Sequence, residues 1–457
     1  MSTAPPRRRA RPTDPVPTTP DLLCYRDQAS FLALRALGRG PMPSITWVYD
    51  VPVPTAAVER FNQRLGAGFL GRLVQRSPLP WGRHRWVAAP PPPVLVMPDP
   101  IAPADVVRWS NGLVDLRLDP ERGPGWQLVA QPLTDGGLAL GLIVSHTIAD
   151  GLGFVQAIVD AVNEVPFPHV HPPRSARRSW ILRDLRETGR ALPDMGRALA
   201  TLARRPPRAA PAGPTPSDPG PSGPAVAGSA GRVDLPRVRV VIEEAELIAA
   251  AQRLHGDANT LIVAFSARLA ARIGRVRPDG RAELVLPISE RVPGDPRGNA
   301  VTGLDLVVDP EGCREDLRPV QRDLKRAMVA LLREGHPVMA LLPLIPWIPT
   351  RVARRLEAIA AGSPWTVGCS LYGDVDPALR RVCGVEPARF WATQTEAFTE
   401  AALVERGGLV FVGGGRIGGR TQIFVSAWQP GRVTTEAELV PAVQAALADL
   451  GLAGRLD

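Results

Sequence analysis

Apolar residues change period along the chain, and each change marks an element. Ile45-Thr46-Trp47-Val48-Tyr49 is a β-prone run, and Val58, Phe61 and Leu65 recur at helical spacing between Thr55 and Leu65. Trp126 to Leu133 and Leu138 to Ser145 read as two strands. Thr134-Asp135-Gly136-Gly137 joins them with a hairpin signal. The second strand, Leu-Ala-Leu-Gly-Leu-Ile-Val-Ser, is almost wholly apolar, as in a strand covered on both faces. A helix is predicted from Gly151, with Asp150 as N-cap and Leu152, Val155, Ile158, Val159 and Val162 as its inward stripe.

The later part of the chain repeats this mixture. A strand is predicted over 238–242, a helix from Glu243, and a second helix over 259–272 with Leu261, Ala264, Phe265, Arg268 and Leu269 on its faces. Strands over 409–412 and 421–427 flank a glycine turn. Thr435-Glu436-Ala437-Glu438 has capping-box spacing and opens a last helix, whose face of Leu439, Val443, Ala446, Leu447 and Leu450 should dock on a sheet. Gly413 to Gly418 satisfies G-x-G-x-x-G, but a strand follows where a dinucleotide site needs a helix, so a hairpin is the reading.

Two stretches lack any period. Residues 1–19 are rich in Pro, Thr and Arg and are expected to be a disordered tail, while 205–232 reads as a Pro/Gly/Ser linker. The linker separates an N-terminal lobe, 20–204, from a C-terminal lobe, 233–457, and the expected class is α/β (α+β). The Arg-rich segment 174–205 is helical in pattern, with Trp180, Ile181, Leu185, Leu192, Leu199 and Leu202. Its default is a solvated face, with anionic lipid or the phosphates of an acyl carrier as the alternative partner. Pro337 to Pro349, followed by Arg351, Arg354 and Arg355, suits either an interfacial anchor or burial against the neighbouring lobe.

Composition narrows the partners. Of 457 residues, 45% are hydrophobic and 22% charged, the balance of a globular protein with two domains. The net charge of +9 invites a polyanion, yet Lys325 is the sole lysine beside 51 prolines and 43 glycines. That is the bias of GC-rich coding, and no nucleic-acid partner is expected. Cys24, Cys313, Cys369 and Cys383 lie far apart and read as free thiols of a reducing cytoplasm. His169 and His171 lack convergent carboxylates or cysteines, so no metal is expected. Arg7-Arg8-Arg9 has no apolar region after it, which argues against export. The expected location is cytoplasmic, with a peripheral contact at the inner membrane face allowed.

The chemistry concentrates at Ser145-His146-Thr147-Ile148-Ala149-Asp150-Gly151. An imidazole at the end of a buried strand is held rigidly on one side and opens to a cleft on the other. It can take a proton from a hydroxyl or amine. Asp150 caps the following helix and can pair with a distant arginine, and the N–H groups near Gly151 could face an oxyanion. From spacing alone, an ordinary cap beside a structural histidine remains open.

This segment resembles the HHxxxDG motif of condensation domains and of bacterial wax ester synthase/diacylglycerol acyltransferases, and the shorter HxxxD of the BAHD acyltransferases. Further segments resemble the wax ester synthase-like group in the right order: Phe69-Leu70-Gly71-Arg72, Pro80 to Trp86 ending in Arg-Trp, and Pro124-Gly125-Trp126. Asn259-Thr260-Leu261 and Pro287-Ile288-Ser289-Glu290-Arg291 with Gly298-Asn299 continue the series. The resemblance implies two chloramphenicol acetyltransferase-like lobes, pseudo-duplicated, with a tunnel between them. It also implies His146 as general base without an acyl-enzyme, and Asp150 salt-bridged to Arg291. Ser145, Asn259 and Asn299 would support the site.

The implied reaction moves a fatty or polyketide acyl group from a coenzyme A or carrier-protein thioester to a hydroxyl, with no cofactor. A free-standing amide-forming condensation enzyme and a catalytically degenerate lipid- or partner-binding relative are the alternatives. Ser145 stands where the first motif histidine would be, as in the BAHD enzymes. Thr260 replaces the usual Asp and no DFGWG segment is present, which separates the chain from the BAHD branch.

Overall fold

The computed structural model describes residues 19–175, 180–204, 231–353 and 363–456. Nearly all of the expected tail, most of the expected linker, and Arg354 and Arg355 lie outside the described residues. The first half contains helices α1 (Tyr25–Leu37), α2 (Thr55–Ala67), α3 (Val106–Gly112), α4 (Gly151–Val162) and α5 (Ile181–Arg204). Its strands are β1 (Met42–Tyr49), β2 (Arg72–Gln75), β3 (Arg85–Ala88), β4 (Leu95–Val96), β5 (Trp126–Pro132) and β6 (Leu138–Val144). The second half opens with β7 (Arg232–Val233), β8 (Arg237–Glu243), α6 (Glu244–Arg253) and α7 (Ala258–Arg272). It continues with β9 (Ala282–Ser289), β10 (Val301–Val308), α8 (Arg318–Glu334), β11 (Thr366–Asp374), β12 (Arg389–Thr395) and β13 (Phe398–Thr399). Helix α9 (Glu400–Glu405), the hairpin β14 (Leu409–Ile417) and β15 (Arg420–Trp428), α10 (Glu436–Ala448) and β16 (Arg455–Leu456) complete it.

Two sheets dominate. One runs β12-β1-β6-β5-β4, the other β10-β9-β11-β14-β15-β8-β16. Apolar β6 is central in the first and fully lined by buried side chains from Ala139 onward, as its composition requires. In the second, β11 pairs parallel with both β9 and β14, and α7 packs across it with its apolar residues buried all round. The halves are not separate in space. Strand β12 leaves the second half and pairs antiparallel with β1, Ile45 opposite Ala392 and Trp47 opposite Phe390.

Several expectations meet the coordinates with small shifts. The stripe of α4 is shifted: Ile158 and Val159 are buried as expected, together with Phe154, Ala157 and Ala161, while Leu152, Val155 and Val162 are half-buried. The helix is apolar on nearly every face, so its period alone does not orient it. The G-x-G-x-x-G run is a hairpin. Gly413 to Gly415 lie inside β14, and the turn falls at Gly418-Gly419, both at positive φ. The segment 337–349 forms a 3-10 helix, Met339–Trp347, that packs against α1 and α5 of the other half. No single described helix is long and apolar enough to cross a membrane. All four cysteines are buried, and none of them forms a disulfide.

Candidate active site

His146 sits two residues beyond Val144, the last residue of β6: Ser145 N–H donates to Gly125 O, and a tight turn follows with Ile148 N–H donating to Ser145 O. His146 N–H reaches Pro41 O at 3.1 Å. The loop between β9 and β10 enters from the second half and meets this turn. Asp150 N–H donates to Gly298 O at 2.8 Å, and Asp150 Oδ2 accepts from Ala300 N–H at 2.8 Å. Gly298 has to be glycine, because a Cβ there would lie 2.8 Å from Thr147 O and 2.9 Å from Ile148 O.

Asp150 spends its carboxylate on structure. Oδ1 caps α4 by accepting from Gly153 N–H at 2.7 Å, and Oδ2 pairs with Arg291 Nη2 at 2.8 Å. Arg291 also donates to Arg297 O and Gly298 O, both at 3.0 Å. Arg297 is fully buried against Asp295 at 2.6 Å, which stiffens the entering loop from within. Such a buried pair fixes geometry more surely than it adds stability.

The histidine is oriented by Asn299. Asn299 Nδ2 donates to His146 O and to Asp27 Oδ1, both at 3.0 Å. Its Oδ1 therefore faces His146 Nδ1 at 2.8 Å and accepts the ring proton. A turned amide would point oxygen at both a carboxylate and a carbonyl. Nε2 is left with the lone pair and makes no hydrogen bond among the described residues, and the residue as a whole is partly buried. Burial of the ring pulls its pKa below 6.5, with the Asp150 charge and the Asn299 bond opposing. At neutral pH the ring is an uncharged base.

Asp27, in the first turn of α1, is the anchor behind Asn299. It accepts from Gly298 N–H at 3.0 Å and from Asn299 N–H at 2.6 Å. Burial pushes its carboxyl up, and the Arg72 charge opposes this. Arg72 is itself buried, donates to Pro296 O at 2.6 Å and Ile148 O at 2.8 Å, and is pushed down to about 9 by burial. Its guanidinium lies over Phe69 and Trp86, at 3.8 and 4.2 Å from their ring centres. The early Phe-Leu-Gly-Arg and Arg-Trp segments thus converge beneath the motif loop.

Asp27 and Tyr372 have no counterpart in the sequence reading. α1 buries Asp27 and Gln28 beside Phe31, so it lacks a clean apolar stripe that would draw attention to its first turn. Tyr372 of β11 presses on the start of α4: a Cβ on Gly151 would lie 2.6 Å from its Oη. Burial pushes its phenol up to about 12, so it remains protonated. Tyr372, Gly151 and Phe154 line a cavity of about 230 Å³ between the lobes, together with Trp391, Gly415 and Phe424. His146 is not among the residues that line it.

Ser145 is buried next to the ring, and Gly151 opens α4, whose Gly153 and Phe154 N–H groups are taken by Asp150. Asn259 stands apart. It is exposed in the first turn of α7 and makes none of the hydrogen bonds of the cluster; Asp257, not Asn259, caps that helix by accepting from Thr260 N–H at 2.8 Å. Among the described residues no group of His, Cys, Asp and Glu could hold a metal ion. Buried His171 is pushed down to about 3 and stays neutral.

No family model matches the sequence, and no curated protein matches it. Solved structures do. The chain is similar to polyketide synthase associated protein 5 from Mycobacterium tuberculosis, at 16% identity and a TM-score of 0.52, over 96% of this chain and 98% of that one. It is similar to the first condensation domain of the calcium-dependent antibiotic synthetase, in complex with a substrate analogue, at 15% identity and 0.56, over 93% and 94% of the two chains. The X-domain from teicoplanin biosynthesis matches at 15% identity and 0.50, over 96% and 97%. End-to-end coverage on both sides shows that the chain has the two-lobed, chloramphenicol acetyltransferase-like fold of condensation domains.

Proposed function

We propose that the protein is an acyltransferase that moves an acyl group from a coenzyme A or carrier-protein thioester to a hydroxyl, with His146 as general base. The supporting observation is the Asn299–His146 bond, which commits Nδ1 as donor and leaves Nε2 free to accept a proton. The acceptor O–H gives its proton to Nε2 as its oxygen attacks the thioester carbonyl. The tetrahedral oxyanion then collapses, the C–S bond breaks, and the departing thiolate takes the proton back from Nε2. The protonated Tyr372 phenol beside Gly151 supplies a hydrogen-bond donor on the cavity wall. The apolar part of that cavity, with Phe154, Trp391 and Phe424, suits a hydrocarbon chain.

An amine acceptor is the second reading, favoured by the likeness to a nonribosomal peptide synthetase, at 19% identity and a TM-score of 0.53. One assay separates the two. Purified protein is incubated with acyl-CoA and acyl-phosphopantetheine thioesters and with alcohols or amines, while free thiol and product mass are followed. Ester product supports the leading reading, amide product the second, and no thiol release above background from any pair contradicts both.

A further inference from the structure

Helix α5 wears its hydrophobic residues on the outside. Leu182, Leu185, Leu192 and Leu199 are 71%, 48%, 50% and 50% exposed, whereas Asp184, Glu187 and Ala198 face inward and are buried. Asp184 is turned in to pair with Arg85. This reverses the usual arrangement of a surface helix, whose apolar stripe faces the core. The outward leucines lie within one arc of the helix, with exposed Gly189, Gly196 and Ala203 between them. Along one edge of that arc run Arg186, Arg190, Arg197 and Arg204, all exposed.

The adjoining 3-10 helix Met339–Trp347 extends the face. It tucks Leu342 and Pro346 inward and leaves Trp347 exposed, stacked on exposed Trp81 with ring centres 5.8 Å apart. A leucine arc edged by arginines and bordered by tryptophans is the composition of a surface that lies in a headgroup layer. Leucine enters the acyl boundary, guanidinium meets phosphate, and indole sits at the interface.

We infer that α5 and the 3-10 helix beside it form a docking face for an anionic lipid surface. Other covers fit less well. The chain's own stretch 205–230 holds one branched aliphatic, Val226, and offers no apolar partner. A second copy would find glycine or alanine at alternate seam positions and would bring its own arginine edge with it. Arg190 and Arg197 are each ion-paired one turn away, to Glu187 and Asp194, yet both project from the surface and can exchange that partner for a phosphate.

The face stands close to the site. Arg26 of α1 donates to the Met339 sulfur, and the same Arg26 charge acts on His146. Docking there would hold the His146 side of the molecule toward the lipid layer, where apolar acceptors reside.

The test is flotation of the full chain with phosphatidylcholine vesicles, with and without phosphatidylglycerol. The wild type should float with the anionic vesicles and be released by high salt. The triple variant L185S/L192S/L199S, whose changes are all exposed, should keep its melting temperature and lose partitioning on the order of a hundredfold. Equal partitioning of variant and wild type, or no flotation of the wild type, overturns the inference. So does a wild-type dimer in solution that the triple variant turns into a monomer, which would assign the face to a second copy. None of these readouts depends on acyl transfer.

Discussion

A base that works near neutrality has to be uncharged, aimed and reachable, and the role proposed for His146 rests on its neighbours for the first two. Burial favours the neutral ring, Asn299 aims it, and Nε2 keeps its lone pair free of hydrogen bonds among the described residues. The rate should therefore be full at neutral pH and fall as pH drops through an inflection below 6.5, where protonation removes the lone pair. Asn299 is a positioning residue. Because its bond to the ring raises the His146 pKa, Asn299→Ala should move that acid limb to still lower pH while lowering kcat on the order of 10–100-fold at unchanged KM. An unmoved limb would show that the ring is held by something else. His146 and Asp150 are legible in the sequence because strand, turn and cap make a local pattern. Asp27 is not, since its role depends on a partner 272 positions away.

The elements that matter here are two loops and the helix they start. The β6–α4 turn and the β9–β10 loop exchange backbone bonds, and Asp150–Arg291 locks them. Both side chains are nearly buried, at 8% and 12% exposure, so breaking the pair leaves a charge without a partner. Asp150→Ala should cost about 3–5 kcal/mol of folding stability. Denaturant unfolding checks it, and a loss under about 1 kcal/mol would place the pair among ordinary surface bridges. Hydrophobic periodicity located most strands and helices, including the hairpin at Gly136-Gly137 and the capping box at Thr435. It misoriented α4 because nearly every face of that helix is apolar, and it missed α1 because that helix buries polar residues. Pairing between β11 and its parallel neighbours has no local signature, so the tyrosine it carries to Gly151 was invisible.

At the scale of the molecule, the site exists only where the halves join. The first supplies His146, Asp27 and Arg72, the second Asn299 and Arg291, and β12 ties the two by completing the first sheet. Sequence order and a Pro-rich break suggest two lobes. The strand exchange is a long-range pairing that composition does not encode. Residues of both halves, Gly151 and Phe154 from the first and Tyr372, Trp391 and Phe424 from the second, line the cavity between the lobes.

The proposed reaction turns on proton abstraction by His146. Its most direct test is the rate of thiol release by His146→Ala against wild type, on the acyl thioester that wild type turns over fastest, with both proteins matched in melting temperature. The rate should fall by about 10²–10⁴-fold. Release at the wild-type rate by a folded His146→Ala protein would contradict the account.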